Sequence, residues 1–213
     1  MKKYFQMVAK FIGIKLGLSF EEREVLAFGL EVSFLILTSL FSALLLGLWW
    51  NIVPEILVVA AVWMLIRSFA GGAHLSTLWR CALFSTLAVA ALGGAASFIA
   101  SSVGHKGILA LILFCGAAAL FITSLWAPAD NAKKRIAQKE RQNFRRKAVI
   151  AELSLILFLL AVYFLAGEKY SSLLCAASLS MGAETLTVSP GGYRAIAFLD
   201  RLLALFEMKA LRR

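Results

Sequence analysis

The chain has 213 residues, 61% of them hydrophobic, with 22 basic against 12 acidic side chains and a formal net charge of +10. A mean hydropathy of +0.84 lies well outside the range of soluble domains, in which about half the residues are apolar, and excludes an ordinary water-soluble globule. No aromatic-interleaved basic groove accompanies the positive charge, so it reads as membrane orientation and contact with anionic lipid, with no nucleic acid among the expected partners.

In chain order, residues 3 to 18 place Phe5, Val8, Ile12 and Leu16 on one side of a helix with Lys3 and Lys10 off it, a pattern suited to a helix lying in the membrane interface. The N-terminus lacks the continuous apolar core and small-residue cleavage site of a signal peptide, so insertion is expected to use the first spanning helix. Ser19 followed by Glu21, Glu22 and Glu24 marks a helix start, where acids favour the N-terminal dipole. A membrane helix needs about 20 mainly apolar residues. Six are predicted, near 26 to 48, 52 to 69, 79 to 101, 107 to 126, 148 to 166 and 170 to 188. Trp49, Trp50 and Asn51 mark the outer end of the first, in the belt that indoles prefer. The run 56 to 66 is too short alone and must borrow residues from both sides.

Small-residue patches, Gly93-Gly94-Ala95-Ala96 and Gly116 to Ala119, allow helices to approach closely. The loop 127 to 147 is strongly basic, with Lys133, Lys134, Arg145 and Arg146 among its cations. It is either a solvated, lipid-facing loop or a docking surface for an acidic partner. Ser189-Pro-Gly-Gly-Tyr193 breaks the last span, and 194 to 211 resumes an amphipathic pattern with Ile196, Leu199, Leu203 and Phe206. The expected architecture is one all-α polytopic membrane domain over 1 to 213, with about six transmembrane helices and amphipathic interfacial helices at both ends. If the N-terminus is cytoplasmic, 20 of the 22 Lys and Arg residues fall inside and only Lys106 and Lys169 outside, in keeping with the positive-inside bias.

Chemistry concentrates at the polar break from Arg67 to Cys81, which holds Gly71, Gly72 and His74. On one unbroken helix His74 and Cys81, seven residues apart, would share a face about 10 Å apart along the axis, whereas proton transfer needs about 3 Å. A working pair therefore requires a broken helix. The two glycines permit the break, and Ser76 or Thr77 could cap a helix starting just after it. Arg67 or Arg80 and a helix N-terminus would favour the Cys81 thiolate, the imidazole could take its proton, and backbone N–H groups at Gly71 and Gly72 could stabilise an oxyanion. Against this, one histidine and one cysteine near a membrane surface are more often packing residues. A metal site has still less support, since only two ligands are local. Three cysteines in apolar segments argue against a disulfide framework; Cys115 and Cys175 read as packing thiols, and His105 as an outer-loop residue without a local partner. Glu31, Glu152 and Glu184 lie in or near spans, where acids usually have partners or line a path; the latter two, near helix ends, could also simply reach water.

Arg67 to Ser85, written R-x-x-x-G-G-x-H-x-x-x-x-x-x-C-x-x-x-S, resembles the signature of the accessory gene regulator protein B family of membrane cysteine peptidases. Trp126-Ala-Pro-Ala-Asp-Asn-Ala-Lys-Lys134 resembles that family's second recognisable stretch. The resemblance implies Cys81 as nucleophile and His74 as base, with Arg67 and Gly72 needed around them and no cofactor or metal. It implies a bacterial plasma-membrane enzyme, both termini cytoplasmic, that cuts the C-terminal part from a small AgrD-like precursor peptide. The remaining peptide is held as a thioester and passed to an internal nucleophile, giving a thiolactone or lactone signal. Ser85 and Asp130 are candidates for a third, orienting member. Lys133, Lys134, Arg145 and Arg146 offer a docking surface for an acidic peptide tail, and a homodimer is expected. The competing expectations are a membrane exporter without peptidase activity and a noncatalytic scaffold.

Overall fold

The computed structural model describes residues 2–129 and 138–210, so Asp130, Lys133 and Lys134 lie outside the described residues. Among the described residues there are eight α-helices and no strand: α1 (Lys2–Lys15), α2 (Phe20–Trp50), α3 (Val53–Ala70), α4 (Leu78–Ser102), α5 (His105–Trp126), α6 (Gln138–Ala166), α7 (Ser171–Val188) and α8 (Pro190–Ala210). The protein is an all-α polytopic membrane protein.

Local chemistry sets the helix ends. Ser19 accepts from the Glu22 N–H while the Glu22 carboxylate accepts from the Ser19 N–H, a reciprocal capping box. That cap starts α2 about two turns earlier than hydropathy alone suggests. Asn51, in the left-handed region at φ 55°, ends α2, and Pro54 stands in the first turn of α3, where its missing N–H has no cost. Ser189 closes α7 and its hydroxyl accepts from the Gly192 N–H, so α8 begins at Pro190 directly, several residues before the expected resumption at 194.

Five stretches are long and apolar enough to cross a membrane: 20–50, 53–70, 78–102, 105–126 and 140–188. The last is a hairpin. Thr185 on α7 lies 3.4 Å from Glu152 on α6, which is possible only if the chain folds back at the 3-10 turn Gly167–Tyr170. α7 is the central helix, packed against α3, α4 and α5. It can be central because its buried face is built of small residues, including Cys175, Ala176, Ala177, Ser178 and Ser180, which let neighbouring backbones come close. The glycine patches do the same elsewhere: a Cβ on Gly93 would lie 3.1 Å from Ile56, and one on Gly116 3.0 Å from Ile156. Large apolar side chains such as Phe41, Phe121 and Phe164 instead point outward, as a surface facing lipid requires.

Three expectations are corrected here. Glu152 does not reach water: it is 1% exposed and accepts a 2.6 Å bond from Thr123. Glu184 is fully buried. His105 has a partner, Tyr163 of α6, whose ring stacks on it at 3.9 Å. α1 folds back on α2, with Phe5 against Phe34 and the Arg23 side chain against Gly13.

Candidate active site

α3 ends at Ala70, and the Gly71 N–H donates to the Arg67 carbonyl as its cap. Gly71 and Gly72 then take φ of +75° and +148°, values that side-chain-bearing residues rarely adopt. The segment from Ala70 to Thr77 is pinned from three sides. The Ala129 N–H donates to the Ala70 carbonyl at 2.8 Å, the Ala73 N–H to the Thr187 carbonyl at 3.1 Å, and the Ser76 N–H to Asp200 of α8 at 3.2 Å. This fold-back places His74 Nδ1 3.8 Å from Cys81 Sγ, where a continuous helix would have held them about 10 Å apart.

Cys81 stands in the first turns of α4; its N–H is bonded to the Thr77 carbonyl at 3.1 Å. Thr77 is at the N-cap position but makes no capping bond, so the N–H groups of Leu78, Trp79 and Arg80 have no helical acceptor. The Gly71 N–H, committed to α3, is not available as an oxyanion donor. Arg80 also differs from expectation: its guanidinium pairs with Asp200 at 3.1 Å and with Glu207, both on α8, and so anchors that helix.

Arg67 is the cation at the site. Nη1 donates to Glu184 Oε1 at 2.8 Å; Nη2 donates to the Ala73 carbonyl at 2.9 Å and lies 3.2 Å from His74 Nδ1 and 3.5 Å from Nε2, against the imidazole ring. Nδ1 is the nitrogen that faces Cys81. Burial first, and the Arg67 charge second, hold the imidazole below the usual histidine range, although the residue as a whole is exposed. The ring is therefore a neutral base at physiological pH. Gly72 has no room for a side chain: a Cβ there would lie 2.6 Å from Thr187 Oγ1 and 3.3 Å from Glu184 Oε1.

Arg67, His74, Cys81 and Ser85 line one cavity of about 230 Å³ that runs between α2, α3 and α4, walled otherwise by apolar residues such as Leu35, Leu40, Trp63 and Val89. On the opposite side, Ile196 and Leu203 of α8 pack on Ala73, Leu75, Cys81 and Phe84. Ser85 thus shares the cavity with Cys81. Arg145 does not stand free: its Nε donates to the Ala127 carbonyl at 2.7 Å, clasping the segment that follows α5. Arg146 is exposed nearby on α6. Sequence reasoning missed Glu184 and Asp200 as neighbours of the site. The one available signal was a carboxylate inside an apolar helix, which needs a partner.

The family model for accessory gene regulator B matches residues 5–188. Two Clostridium perfringens proteins, named only by likeness, are similar. The AgrB-like protein 2 of strain 13 is 27% identical over 158 residues, 72% of each chain, and the AgrB-like protein of strain SM101 is 24% identical over the same coverage. No solved structure matches.

Proposed function

Starting from a chain that belongs to the accessory gene regulator B family, with the role in that quorum-sensing system which membership supports, we propose that it is a membrane cysteine endopeptidase that matures an AgrD-like precursor peptide. The observation that carries this reading is the contact of Cys81 Sγ with Nδ1 of His74 at 3.8 Å. Cys81 gives its proton to Nδ1, and the thiolate attacks the carbonyl carbon of the scissile bond. The negative oxygen is met by backbone N–H groups in the uncapped first turn of α4. As the C–N bond breaks, His74 returns the proton to the departing amine, leaving the N-terminal fragment as a thioester on Cys81. A thiol or hydroxyl within that fragment then attacks the thioester carbonyl, closing the ring and regenerating Cys81. The thioester must survive until the ring closes, so water has to be kept away. The apolar cavity on one side of Cys81 and α8 on the other supply that shield.

The basic end of the bundle, and the site with it, faces the cytoplasm in this reading, and exposed cations such as Arg146 are available to an acidic precursor tail. An exporter would instead use intramembrane carboxylates to line a path, yet Glu152 faces two threonines and Glu184 faces Arg67. The test is intact-mass analysis of the protein incubated with its precursor. Wild type should gain the mass of the N-terminal acyl fragment, and Cys81→Ala and His74→Ala should lose both adduct and cleavage while remaining folded. Cleavage by Cys81→Ala at the wild-type rate would falsify the peptidase.

A further inference from the structure

The contacts behind His74 do not stop at Arg67. Glu184, on the central helix α7 and fully buried, accepts from Arg67 Nη1 at 2.8 Å. A guanidinium is a rigid planar fork, so fixing one arm fixes the direction of the other. That other arm, Nη2, is the one that reaches both the Ala73 carbonyl and His74 Nδ1. Ala73 is bonded in turn through its N–H to the Thr187 carbonyl, one turn beyond Glu184 on the same helix. The imidazole is therefore referenced to α7 and not to its own loop.

We propose that Glu184 is a positioning residue for this site, holding Arg67, and through Arg67 the imidazole of His74, in register with Cys81. The proposal rests on the cysteine-peptidase reading and supplies the orienting carboxylate that a Cys–His pair lacks when taken alone. Two observations support it independently of that reading. The side chain is completely buried at the inner end of α7, where a charged group is costly unless paired. Gly72 is a residue whose Cβ would strike Thr187 and crowd both Glu184 and Arg67, so the loop is shaped around the ion pair. If the pair served only to tie α3 to α7, an apolar contact of similar volume would do so at least as well.

The experiment uses the full-length protein in detergent. Iodoacetamide is the probe, and alkylation is read specifically at Cys81 by peptide mapping, normalised to the folded fraction. Wild type is compared with His74→Ala, Glu184→Ala, Glu184→Gln and Glu184→Asp. The expectation is that His74→Ala and Glu184→Ala each slow Cys81 alkylation about tenfold or more, a part of the roughly hundredfold or greater help that a positioned general base gives. Glu184→Gln keeps the acceptor for Nη1 and should restore the rate to within roughly threefold of wild type. If Glu184→Ala does not fold, Glu184→Asp decides: it keeps the charge but withdraws Arg67, so slowing supports the proposal and a wild-type rate overturns it. A variant that loses thermal stability but alkylates at the wild-type rate per folded molecule marks a structural tie only, and the proposal fails. Slowing by His74→Ala without slowing by the Glu184 variants leaves the Cys–His pair standing and removes Glu184. No slowing by His74→Ala removes both.

Discussion

Arg67 Nη2 and Cys81 Sγ both approach His74, Nη2 at 3.2 Å from Nδ1 and 3.5 Å from Nε2, and Sγ at 3.8 Å from Nδ1. The guanidinium thus lies against the ring with the Ala73 carbonyl as its acceptor, while the thiol faces one nitrogen. The arrangement has a consequence in pH. Burial and then the Arg67 charge lower the His74 pKa, and a base works only when neutral, so activity should persist to more acidic pH than an ordinary histidine with a pKa of about 6.5 would allow. The acidic limb of the kcat/KM profile is thus expected below that value. Replacing Arg67 by Gln removes the second cause, so the limb should move upward even as the maximal rate falls. A wild-type limb at or above the ordinary histidine value would contradict the assignment of Nδ1 as the base.

At the scale of elements, α8 holds the loop that leads into α4. Thr77 makes no capping bond, while Asp200 accepts from the Ser76 N–H, the Ser76 hydroxyl and Arg80 Nη1, at 3.2, 3.1 and 3.1 Å. The corner that aims α8 at this target is tight: a Cβ on Gly192 would fall 2.0 Å from the Leu186 carbonyl oxygen. The amphipathic pattern of 194 to 211 was legible in the sequence, including Ile196 and Leu203, but its destination was not. Apolar spacing says that a face will be covered without saying by what, and Asp200 meets Ser76 across 124 residues of chain. The glycine pair and the His–Cys spacing were legible because a broken helix was the one geometry in which they could meet. Glu184 was not, because nothing local marks which of several buried acids faces an arginine 117 residues away. Asp200→Ala should therefore loosen α8 over Cys81. A bulky maleimide is expected to label Cys81 several-fold faster, with little change in the rate for a small alkylating agent. Equal rates for both reagents before and after the substitution would show that α8 does not screen the thiol.

Across the whole molecule, hydropathy placed every spanning segment, since a run of apolar residues of bilayer length has few other uses. It misjudged where helices start: α2 begins at its capping box, and α6 is already helical at Gln138, both well before their apolar cores. The helix order now gives the charge pattern a geometry. The end of the bundle that holds the start of α2, the junction of α3 with α4, the start of α6 and the junction of α7 with α8 carries the cations, including the exposed Lys10, Lys15 and Lys147. The opposite end carries exposed Lys106 at the start of α5 and Lys169 in the turn between α6 and α7. Because His74 and Cys81 belong to the basic end, the proposed orientation, with that end inside by the positive-inside bias, would put the chemistry in the cytoplasm, where a newly made peptide first meets the membrane. A membrane-impermeant amine reagent applied to intact cells should modify Lys106 and Lys169 and spare Lys10, Lys15 and Lys147, all of which should react after permeabilisation. The reverse pattern would put Cys81 on the outer face, and a precursor made inside the cell would then have to cross the membrane before it could be cut.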